Sequence, residues 1–522
     1  MVHATSLDRR AVAVPGFFSI TINADGHLFG SLIDILRNGA PTLIIAVGMT
    51  LVIATRGIDL SVGAICAIAG AVACSIILDS PDPGGLWTVT VAVATALALS
   101  LVLGLWNGFL VAVLGIQPII ATLVLMTAGR GIAMLITEGQ ILTVESAPFK
   151  FLGSGFIVGI PVAVIIGAVL FSLAALLTRR TALGLLIESV GINPEASRQA
   201  GVRARGLLFT VYGFCALAAG IAGLILTANQ TAADANNTGL FIELDAILAV
   251  VIGGTSLNGG RYSLVGTLVG ALVIQTLGST MIAATLLRDG WSPLVVIPLI
   301  LVATSLLGLA VGLMIHVFKV QPFIASLAAM FLARGLCYII SNTSITIDQP
   351  FFVAMATLRI PLGGRLSITP SVIVAILVVV IAVWVLQYTR FGRTTYAIGG
   401  GEQSGMLMGL PVARTKVLVY VISGFCSGVA GVLFSFYTLS GYPLTTIGTE
   451  LDAIAAVVIG GTLLTGGYGF VLGSVLGVLV LGVIQTIITF QGTLSSWWTK
   501  IFIGALLLVF IILQKVLTSR RT

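Results

Sequence analysis

Long apolar stretches alternate with short polar ones along most of the chain. A stretch of about 20 apolar residues is long enough to cross the roughly 30 Å hydrocarbon core of a bilayer as a helix. We place such segments at residues 39–53, 59–78, 87–113, 118–137, 156–178, 207–229, 242–253, 263–285, 291–316, 321–341, 370–388, 416–438, 450–460, 470–492 and 497–515. Segments 242–253 and 450–460 are too short to span alone, so we expect half-helices supported by neighbouring protein. The pattern predicts an all-α, polytopic transmembrane helical bundle with interrupted helices.

Composition agrees with a membrane protein. Of the 522 residues, 58% are apolar and 8% are charged, whereas soluble domains carry about a quarter charged residues. The net charge is +7, but no basic patch with interleaved aromatic residues indicates a nucleic-acid partner. The cysteines all lie inside apolar runs, so we interpret them as small buried side chains and expect no metal site. They are Cys66, Cys74, Cys215, Cys337 and Cys426.

Basic residues cluster in three polar stretches, at 179–205, at 390–416 and at 515–521. The positive-inside bias predicts that all three lie in the cytoplasm. Counting the apolar segments between them gives even numbers, so the three assignments agree. The same count places the N-terminus outside although it carries Arg9 and Arg10, which is a misfit.

An internal repeat organises the chain. Residues 243–260 and 450–467 are identical at fifteen of eighteen positions, with an offset of 207. Further matches pair residues 116–131 with 320–335, residues 212–223 with 423–434, Gly191 with Gly399, and Gly201 with Gly409. Because equivalent loops share the cytoplasmic side, we expect two parallel copies related by an axis along the membrane normal.

The two copies are not equally complete. We divide the chain into an N-terminal segment (1–37), a first repeat (38–302) and a second repeat (303–522) that is incomplete at its start. The second copy matches the first only from about residue 100, so GMTLVIATRGIDLSVG (48–63) has no counterpart.

Each copy carries a cytoplasmic loop with a short polar helix between glycines, GINPEASRQAG (191–201) and GGGEQSGMLMG (399–409). Asn193 and Pro194 suit a helix start, and Glu195 complements the helix dipole there. We interpret the loops as docking elements for a soluble partner, and an ordinary amphipathic loop is the alternative. The candidate docking residues are Gly191, Asn193, Glu195, Ala196, Gly201, Gly401, Glu402, Ser404 and Gly409.

Acidic and hydroxyl side chains inside apolar stretches are candidates for a substrate pathway, since charge near the middle of a membrane usually faces a cavity or a partner. They are Asp59, Ser61, Glu243, Asp245, Glu450 and Asp452. The glutamates and their neighbours alternatively cap the half-helices or pair with Arg130 or Arg334. The segment GIDLSVG (57–63) is either an interrupted helix lining the pathway or a turn at the cytoplasmic surface.

The sequence contains no phosphate-binding loop of the GxxxxGK[ST] type, because none of its lysines is followed by Ser or Thr. It also shows no nucleophile–base set. We therefore do not expect an enzyme that hydrolyses nucleotide by that route.

At these motifs the chain resembles the sugar-type permease subunits of bacterial ABC importers, the family of the ribose permease. The resemblance rests on GMTLVIATRGIDLSVG, the glycine-bounded loops and ELDAIxAVVIGGTxLxGG, and it covers about residues 38–522. Within the family, the two copies resemble the two paired permeases of the galactofuranose importer.

This resemblance implies a multi-pass permease of the bacterial inner membrane that moves a monosaccharide such as galactofuranose or ribose. It implies a separate ABC ATP-binding subunit, which would hold the ATP and magnesium, and a periplasmic sugar-binding protein. No cofactor is expected in this chain. Loops 191–201 and 399–409 would be the coupling helices. Because the copies are incomplete, another permease chain is a further expected partner.

Two other functions stay open at this point. One is an ion-coupled secondary transporter, which would need acidic residues in the membrane and no docking loops. The other is a decayed fusion that binds ATPases without transporting.

Overall fold

The computed structural model describes residues 21–22, 26–29, 31–252, 293–340, 345–346, 350–363, 366–441, 449–462, 469–491 and 497–519. The apolar segment expected at 263–285 lies outside the described residues.

Helices dominate the first part of the chain. They are α1 (Ser31–Ala54), α2 (Val62–Leu78), α3 (Leu86–Ala112), α4 (Pro118–Ile136), α5 (Ala147–Ser154), α6 (Val162–Arg180), α7 (Ala182–Ile192), α8 (Pro194–Gln199), α9 (Ala204–Gln230) and α10 (Ile242–Ile252). The strands are only two residues long: β1 (Thr21–Ile22), β2 (Leu28–Phe29), β3 (Leu142–Thr143), β4 (Phe156–Ile157), β5 (Ile160–Pro161) and β6 (Ala232–Ala233).

The second part repeats this order from α3 to α10 and adds two further helices. Its elements are α11 (Pro293–His316), α12 (Pro322–Ile340), β7 (Ile345–Thr346), α13 (Pro350–Thr357), β8 (Ile360–Gly363), β9 (Leu366–Ile368), α14 (Pro370–Tyr388), α15 (Arg390–Gly400), α16 (Glu402–Leu407), α17 (Val412–Thr438), β10 (Ser440–Gly441), α18 (Thr449–Ile459), α19 (Val471–Gln491) and α20 (Trp498–Ser519). Several of these helices begin with proline, whose fixed φ suits the first helical turn and whose missing N–H is not needed there.

Nine helices of the described chain are long and apolar enough to cross a membrane, which confirms the all-α transmembrane bundle. They include all or part of α1, α3, α4, α6, α9, α11, α14, α17 and α19. Helix α18 ends at Ile459 before the described turn at Gly460, as expected of a half-helix, whereas the residues that follow α10 lie outside the described part of the chain, so its length stays a prediction. The chain leaves the helical conformation between α1 and α2, so the predicted interruption at GIDLSVG is confirmed.

The structural repeat is visible in the small strands as well as the helices. An antiparallel bridge joins β3 to β6 in the first copy, and an equivalent bridge joins β7 to β10 in the second. Helices α9 and α17 are both 27 residues long, and both end at a left-handed residue, Thr231 and Leu439. These two helices are therefore equivalent at an offset of 208.

One part of the expected alignment is wrong by three residues. The alignment based on the shared sequence GFC pairs Cys215 with Cys426. Superposing the ends of α9 and α17 pairs Cys215 with Ser423 instead. Packing agrees with the helix ends, since a Cβ on Gly104 would meet Tyr212 and a Cβ on Gly308 would meet Tyr420, which is 208 residues further on.

The chain forms two compact units. Unit 1 comprises Met1–Thr280 with Ile484–Thr522, and unit 2 comprises Met281–Val483. These limits describe compactness, and the repeat boundaries at 38–302 and 303–522 stay a prediction.

The core of unit 1 is built around α2, which packs against α3, α4 and α9. All residues from Val62 to Ala71 are buried. A helix that is apolar on every side fits the centre of such a bundle. Small residues permit the close approach: the backbone of Cys66 lies directly against Gly223, and a Cβ on Gly48 of α1 would be 2.8 Å from the Cα of Cys215.

Helix α20 also belongs to unit 1, although it is the last element of the chain. It packs on α4, where a Cβ on Gly504 would lie 2.7 Å from the Ala128 Cβ, and a Cβ on Gly131 would lie 2.8 Å from Ile501. Helix α20 therefore packs within unit 1, although its sequence follows the second copy.

Unit 2 has a smaller core, formed where α11 crosses α17. Gly308 and Gly312 of α11 face Tyr420 and Val417 of α17, as Gly104 and Gly108 of α3 face α9. Unit 2 has no counterpart of α1 and α2 among its described residues.

The burial of the cysteines differs between the two units in the same way. Cys66, Cys74 and Cys215 are buried as expected, but Cys426 is exposed, so the prediction of burial is wrong for that residue. The side chain of Cys337 lies outside what the structure describes.

Candidate functional site

The first predicted docking element is α8, a six-residue helix in an exposed loop. Asn193 caps it, accepting a hydrogen bond from the Ala196 N–H at 3.0 Å. Glu195 and Arg198 form an exposed ion pair of 2.7 Å. Gly201 ends the loop at φ +84°, a conformation that glycine adopts without steric cost. Gly191 is buried at the end of α7, which holds the loop against the bundle.

The second predicted docking element is α16, also six residues long and 208 residues further on. It begins at Gly401, which has no side chain for capping, and Ser404 is exposed within it. Glu402 pairs with Lys416 of α17 at 2.6 Å, and Gly409 has φ +73° like its twin Gly201. The two loops therefore share a backbone shape.

The helices α8 and α16, both predicted to dock on a partner, differ in the surface that they present. The C-terminal end of α8 exposes Arg198 and Gln199, which are polar. The equivalent end of α16 exposes Met406, Leu407 and Met408 at 62%, 89% and 67%. Consecutive exposed apolar side chains outside a membrane span are typical of a protein contact.

The interruption between α1 and α2 holds a buried polar cluster in unit 1. Asp59 accepts hydrogen bonds from the Ser61 hydroxyl at 2.6 Å and from the Ser61 N–H at 3.0 Å. Asn107 of α3 donates its amide to the Ser61 hydroxyl at 2.8 Å. Thr122 of α4 accepts from the Leu60 N–H at 3.1 Å. The cluster thus joins the non-helical segment to two neighbouring helices.

Several polar atoms of this region have no hydrogen-bond partner among the described residues. They are Asp59 Oδ2, Asn107 Oδ1 and the Tyr212 hydroxyl. All three residues are fully buried. Unsatisfied buried polar groups are costly, so they mark a place where water, a ligand or another conformation would supply partners.

Arg56 connects this interruption to α8, and sequence reasoning missed it. Its guanidinium donates to the carbonyl of Ile192, the residue just before the Asn193 cap. Arg56 itself stands in the left-handed region at φ +63°. This contact places the start of GIDLSVG beside the loop that carries α8, and Asp59 and Ser61 are buried further along the segment. The pathway-lining and turn interpretations of this segment both stay predictions.

The acidic candidates of the half-helices are placed differently from one another. Glu243 is 1% exposed, lies directly against Gly63 of α2, and neither of its carboxylate oxygens accepts a hydrogen bond from a described residue. Asp245 is half-buried. Asp452 of unit 2 is exposed, and the side chain of Glu450 lies outside what the structure describes.

Arg130 interacts electrostatically with Glu243, but its guanidinium donates its hydrogen bonds to backbone carbonyls instead. Its guanidinium donates to the carbonyls of Ala235 at 3.2 Å, Thr238 at 2.7 Å and Gly239 at 3.4 Å. The expected alternative, an arginine paired with the half-helix carboxylate, is therefore not seen as a hydrogen-bonded pair in unit 1. The side chain of Arg334 is not described.

Unit 2 has an apolar residue where unit 1 has Asn107. The offset of 204 that relates Gly104 to Gly308 makes Val311 the twin of Asn107. Val311 is buried with Ile315 and Ala325 in an apolar cluster. The amide is thus present only in the unit that has Ser61 to bond with. Among the described residues, no group of three or more His, Cys, Asp or Glu could hold a metal ion.

Comparison with known proteins identifies the family. The family described as the permease component of the branched-chain amino acid transport system matches the chain twice, at residues 31–287 and 275–511. The chain belongs to this permease family. The double match confirms two repeats, and with the apolar helices it makes the chain a multi-pass membrane protein.

Several relatives of this permease chain are named for sugars. The galactofuranose transporter permease protein YtfT of Escherichia coli is 50% identical over 51% of this chain and 76% of its own length. The inner membrane ABC transporter permease protein YjfF of the same organism is 49% identical over 44% of this chain and 69% of its own length. A ribose import permease protein RbsC of E. coli is 40% identical over 51% of this chain and 79% of its own. Each accounts for about half of the chain, which confirms the resemblance to sugar-type ABC permeases and is consistent with a fusion. No solved structure matches the chain.

Proposed function

We propose that this chain is the membrane-spanning component of an ABC importer for a monosaccharide in a bacterial inner membrane. The doubled permease family and relatives named for galactofuranose, fructose and ribose support this function. A galactofuranose-like sugar is the first candidate substrate, because a relative named for it is 50% identical to this chain.

In this proposal, α8 and α16 are the coupling helices that dock on separate ATP-binding subunits. Both are short and exposed and are followed by a glycine of positive φ, and α8 is also capped by Asn193. A rigid exposed helix suits transmission of a domain movement better than a flexible loop does. ATP and magnesium would be bound by the partner.

The observation that carries the proposal is the hydrogen bond from Arg56 to the Ile192 carbonyl. It joins the start of α8 to the interruption between α1 and α2, so a displacement of α8 is transmitted to Asp59 and Ser61. The unpaired oxygens of Asp59 and Glu243 would then gain partners, from water or sugar hydroxyls, when the pathway opens. A periplasmic sugar-binding protein would deliver the sugar and supply most of the specificity.

The proposal is tested by reconstituting the chain in liposomes with the ATP-binding subunit and the sugar-binding protein. We expect uptake of radiolabelled sugar only with ATP. Arg56→Gln should lower uptake roughly tenfold or more, because a hydrogen bond to a charged group contributes about 1.5–3 kcal/mol, while binding of the ATPase is retained. Gly201→Val and Gly409→Val should weaken ATPase binding, since both positions have positive φ.

Gly206→Val is the matched control, because Gly206 lies in the same region with free space around it and an ordinary φ. Uptake driven by an ion gradient without ATP would overturn the proposal in favour of a secondary transporter. Binding of the ATPase without any sugar uptake would instead indicate a fusion that no longer transports.

A further inference from the structure

The break between α1 and α2 contains buried oxygen atoms that have no hydrogen-bond partner among the described residues. They are Asp59 Oδ2, Asn107 Oδ1 and the Tyr212 hydroxyl, and each belongs to a side chain that is fully buried. The Asp59 carboxylate and the Asn107 amide both bond to the Ser61 hydroxyl, at 2.6 and 2.8 Å. The groups that carry the two unpartnered acceptors are therefore each one hydrogen bond away from the same hydroxyl.

Tyr212 brings its hydroxyl to the same break from α9. A Cβ on Gly57 would lie 2.5 Å from the Tyr212 oxygen, and the charge of Asp59 acts on this hydroxyl. Gly57 has no positive φ, so glycine is needed here to leave space for the hydroxyl and not for the backbone conformation. Oxygens from the break itself, from α3 and from α9 thus come together in one region of unit 1.

The described side chains cannot satisfy these oxygens among themselves. A carboxylate oxygen and an amide oxygen are both acceptors, so they cannot bond to each other. Ser61 already donates its hydroxyl hydrogen to Asp59 Oδ1, and Tyr212 has a single hydrogen for two acceptors. At least one buried acceptor is left without a donor, which is costly. The proposed function gives Asp59 new partners only when the pathway opens, so this conformation, in which the oxygens are buried, needs another one.

The charge in this region is also unbalanced. Among the described residues, the buried charged side chains are Asp59, Glu243 and Arg130, that is, two carboxyl groups against one guanidinium. Arg130 acts on Glu243 and bonds to backbone carbonyls, and no ion pair of the described chain includes Asp59. A buried charge without a partner is strongly unfavourable. A water molecule would supply hydrogens but would leave the charge of Asp59 uncompensated.

We propose that the break holds one monovalent metal cation, bound by Asp59 Oδ2, Asn107 Oδ1 and the Tyr212 oxygen. Carboxylate, amide and hydroxyl oxygens are the ligands that hard cations prefer. One positive charge matches the single excess carboxylate, whereas a divalent ion would leave an excess of positive charge. Ser61 donates two hydrogen bonds to Asp59, which favours the ionised carboxylate, while burial opposes it. The cation removes this conflict, because it compensates the charge where it is buried.

Thermal unfolding of the purified full chain in nanodiscs tests this inference without ATP, sugar or partner proteins. NaCl and KCl are titrated against choline chloride at constant ionic strength. We expect Na⁺ or K⁺, but not choline, to raise the melting temperature in a saturable manner by about 2–4 °C. Scintillation proximity with radiolabelled sodium, and potassium as competitor, should count one cation per chain.

Two pairs of variants locate the site. Asp59→Asn should abolish the cation response, and Asp79→Asn, which removes the same charge at the exposed end of α2, should retain it. Tyr212→Phe removes only a hydroxyl and should weaken the apparent cation affinity roughly tenfold, the usual size for the loss of a supporting group at a metal site. Tyr420→Phe is its matched control, because Tyr420 is the half-buried equivalent of Tyr212 in unit 2 and should leave the affinity unchanged.

Three outcomes would overturn the inference. An equal shift with choline chloride means that ionic strength acts on the whole surface. An undiminished cation response in Asp59→Asn, or in Tyr212→Phe if the first variant does not fold, means that the cation binds elsewhere. A melting temperature that depends on pH but on no cation means that Asp59 carries a proton instead. None of these measurements involves sugar uptake, so the inference and the proposed function can fail independently.

Discussion

Helices α9 and α17 have the same length, both end at a residue in the left-handed conformation, and their small residues recur at nearly the same positions. They nevertheless pack against different neighbours. The first is buried over most of its length by α1, α2 and α3, whereas the second packs mainly on α11. The neighbouring helices show the same contrast: α6 packs on α1 and buries Gly167 and Ala174, while its twin α14 buries nothing. Burial in this molecule thus depends on whether the α1–α2 pair is present and much less on the local sequence.

The largest expected difference between the units comes from one glycine pair. Gly223→Leu would push a side chain into the backbone of Cys66, and overpacking of this kind costs about 1–3 kcal/mol or more where backbone opposes it. We expect most of the folded protein to be lost. Gly431→Leu should leave the folded yield unchanged. Fluorescence-detected size exclusion measures both, and equal losses would contradict the comparison.

The second largest expected effect concerns the two proposed coupling helices, α8 and α16, and their affinity for the ATP-binding subunit. Leu407→Asp removes an apolar side chain that is 89% exposed, and we expect about 30-fold weaker binding of the ATP-binding subunit, the size of an interface hot spot of roughly 2 kcal/mol. Arg198→Ala breaks only an exposed ion pair, so we expect the affinity for the ATP-binding subunit to fall about fivefold or less. Val158→Asp, at a position 95% exposed in the β4–β5 turn, is the control. Surface plasmon resonance gives the affinities, and a larger effect at Arg198 would reverse the assignment.

A smaller effect on stability is expected when Asn107 and Val311, which occupy equivalent positions, are each replaced by the residue of the other unit. Asn107→Val removes the amide that donates to Ser61 and should lower the free energy of unfolding by about 1–3 kcal/mol. Val311→Asn places an amide in an apolar cluster and should destabilise unit 2 by a similar amount. Thermal unfolding in detergent tests both. A neutral Asn107→Val would show that the Ser61 bond does not hold the cluster together.

The smallest effect concerns a turn. Lys319 has φ +52°, and its twin at the offset of 204 is Gly115 with φ +62°. Lys319→Gly should therefore stabilise the protein by at most about 1 kcal/mol, because the left-handed conformation costs an L-residue roughly 1–2 kcal/mol and glycine loses more entropy on folding. Lys319→Ala removes the same charge without relieving the strain, so it should not raise the melting temperature. Equal stabilisation by both variants would point to the charge.

The helices and the repeat could be predicted because they depend on local features. Apolar length sets the spans, and proline at position 118, 322 or 370 marks a helix start. The GFC alignment failed because small residues recur along these helices, so a shift of three residues, nearly one turn, still matches letters.

The contacts that matter most for the site could not be predicted in the same way. Arg56 and Ile192 are 136 residues apart, and nothing local indicates that they meet. The exposure of Cys426 also depends on which neighbours are present, since its apolar surroundings in sequence indicate burial. The unpaired oxygens of Glu243 depend on the direction of Arg130, which bonds to the backbone instead.

The hydrogen bonds from Arg130 to three carbonyls of one loop have a consequence for sequence variation in this molecule. The carbonyls of Ala235, Thr238 and Gly239 belong to every amino acid alike, so the guanidinium fixes the path of the loop whatever side chains it carries. The exposed residues of this loop, Asn236 and Asn237, can therefore change in charge and size while the path of the backbone stays the same, whereas the buried Ala235 and Thr238 and the positive-φ Gly239 cannot.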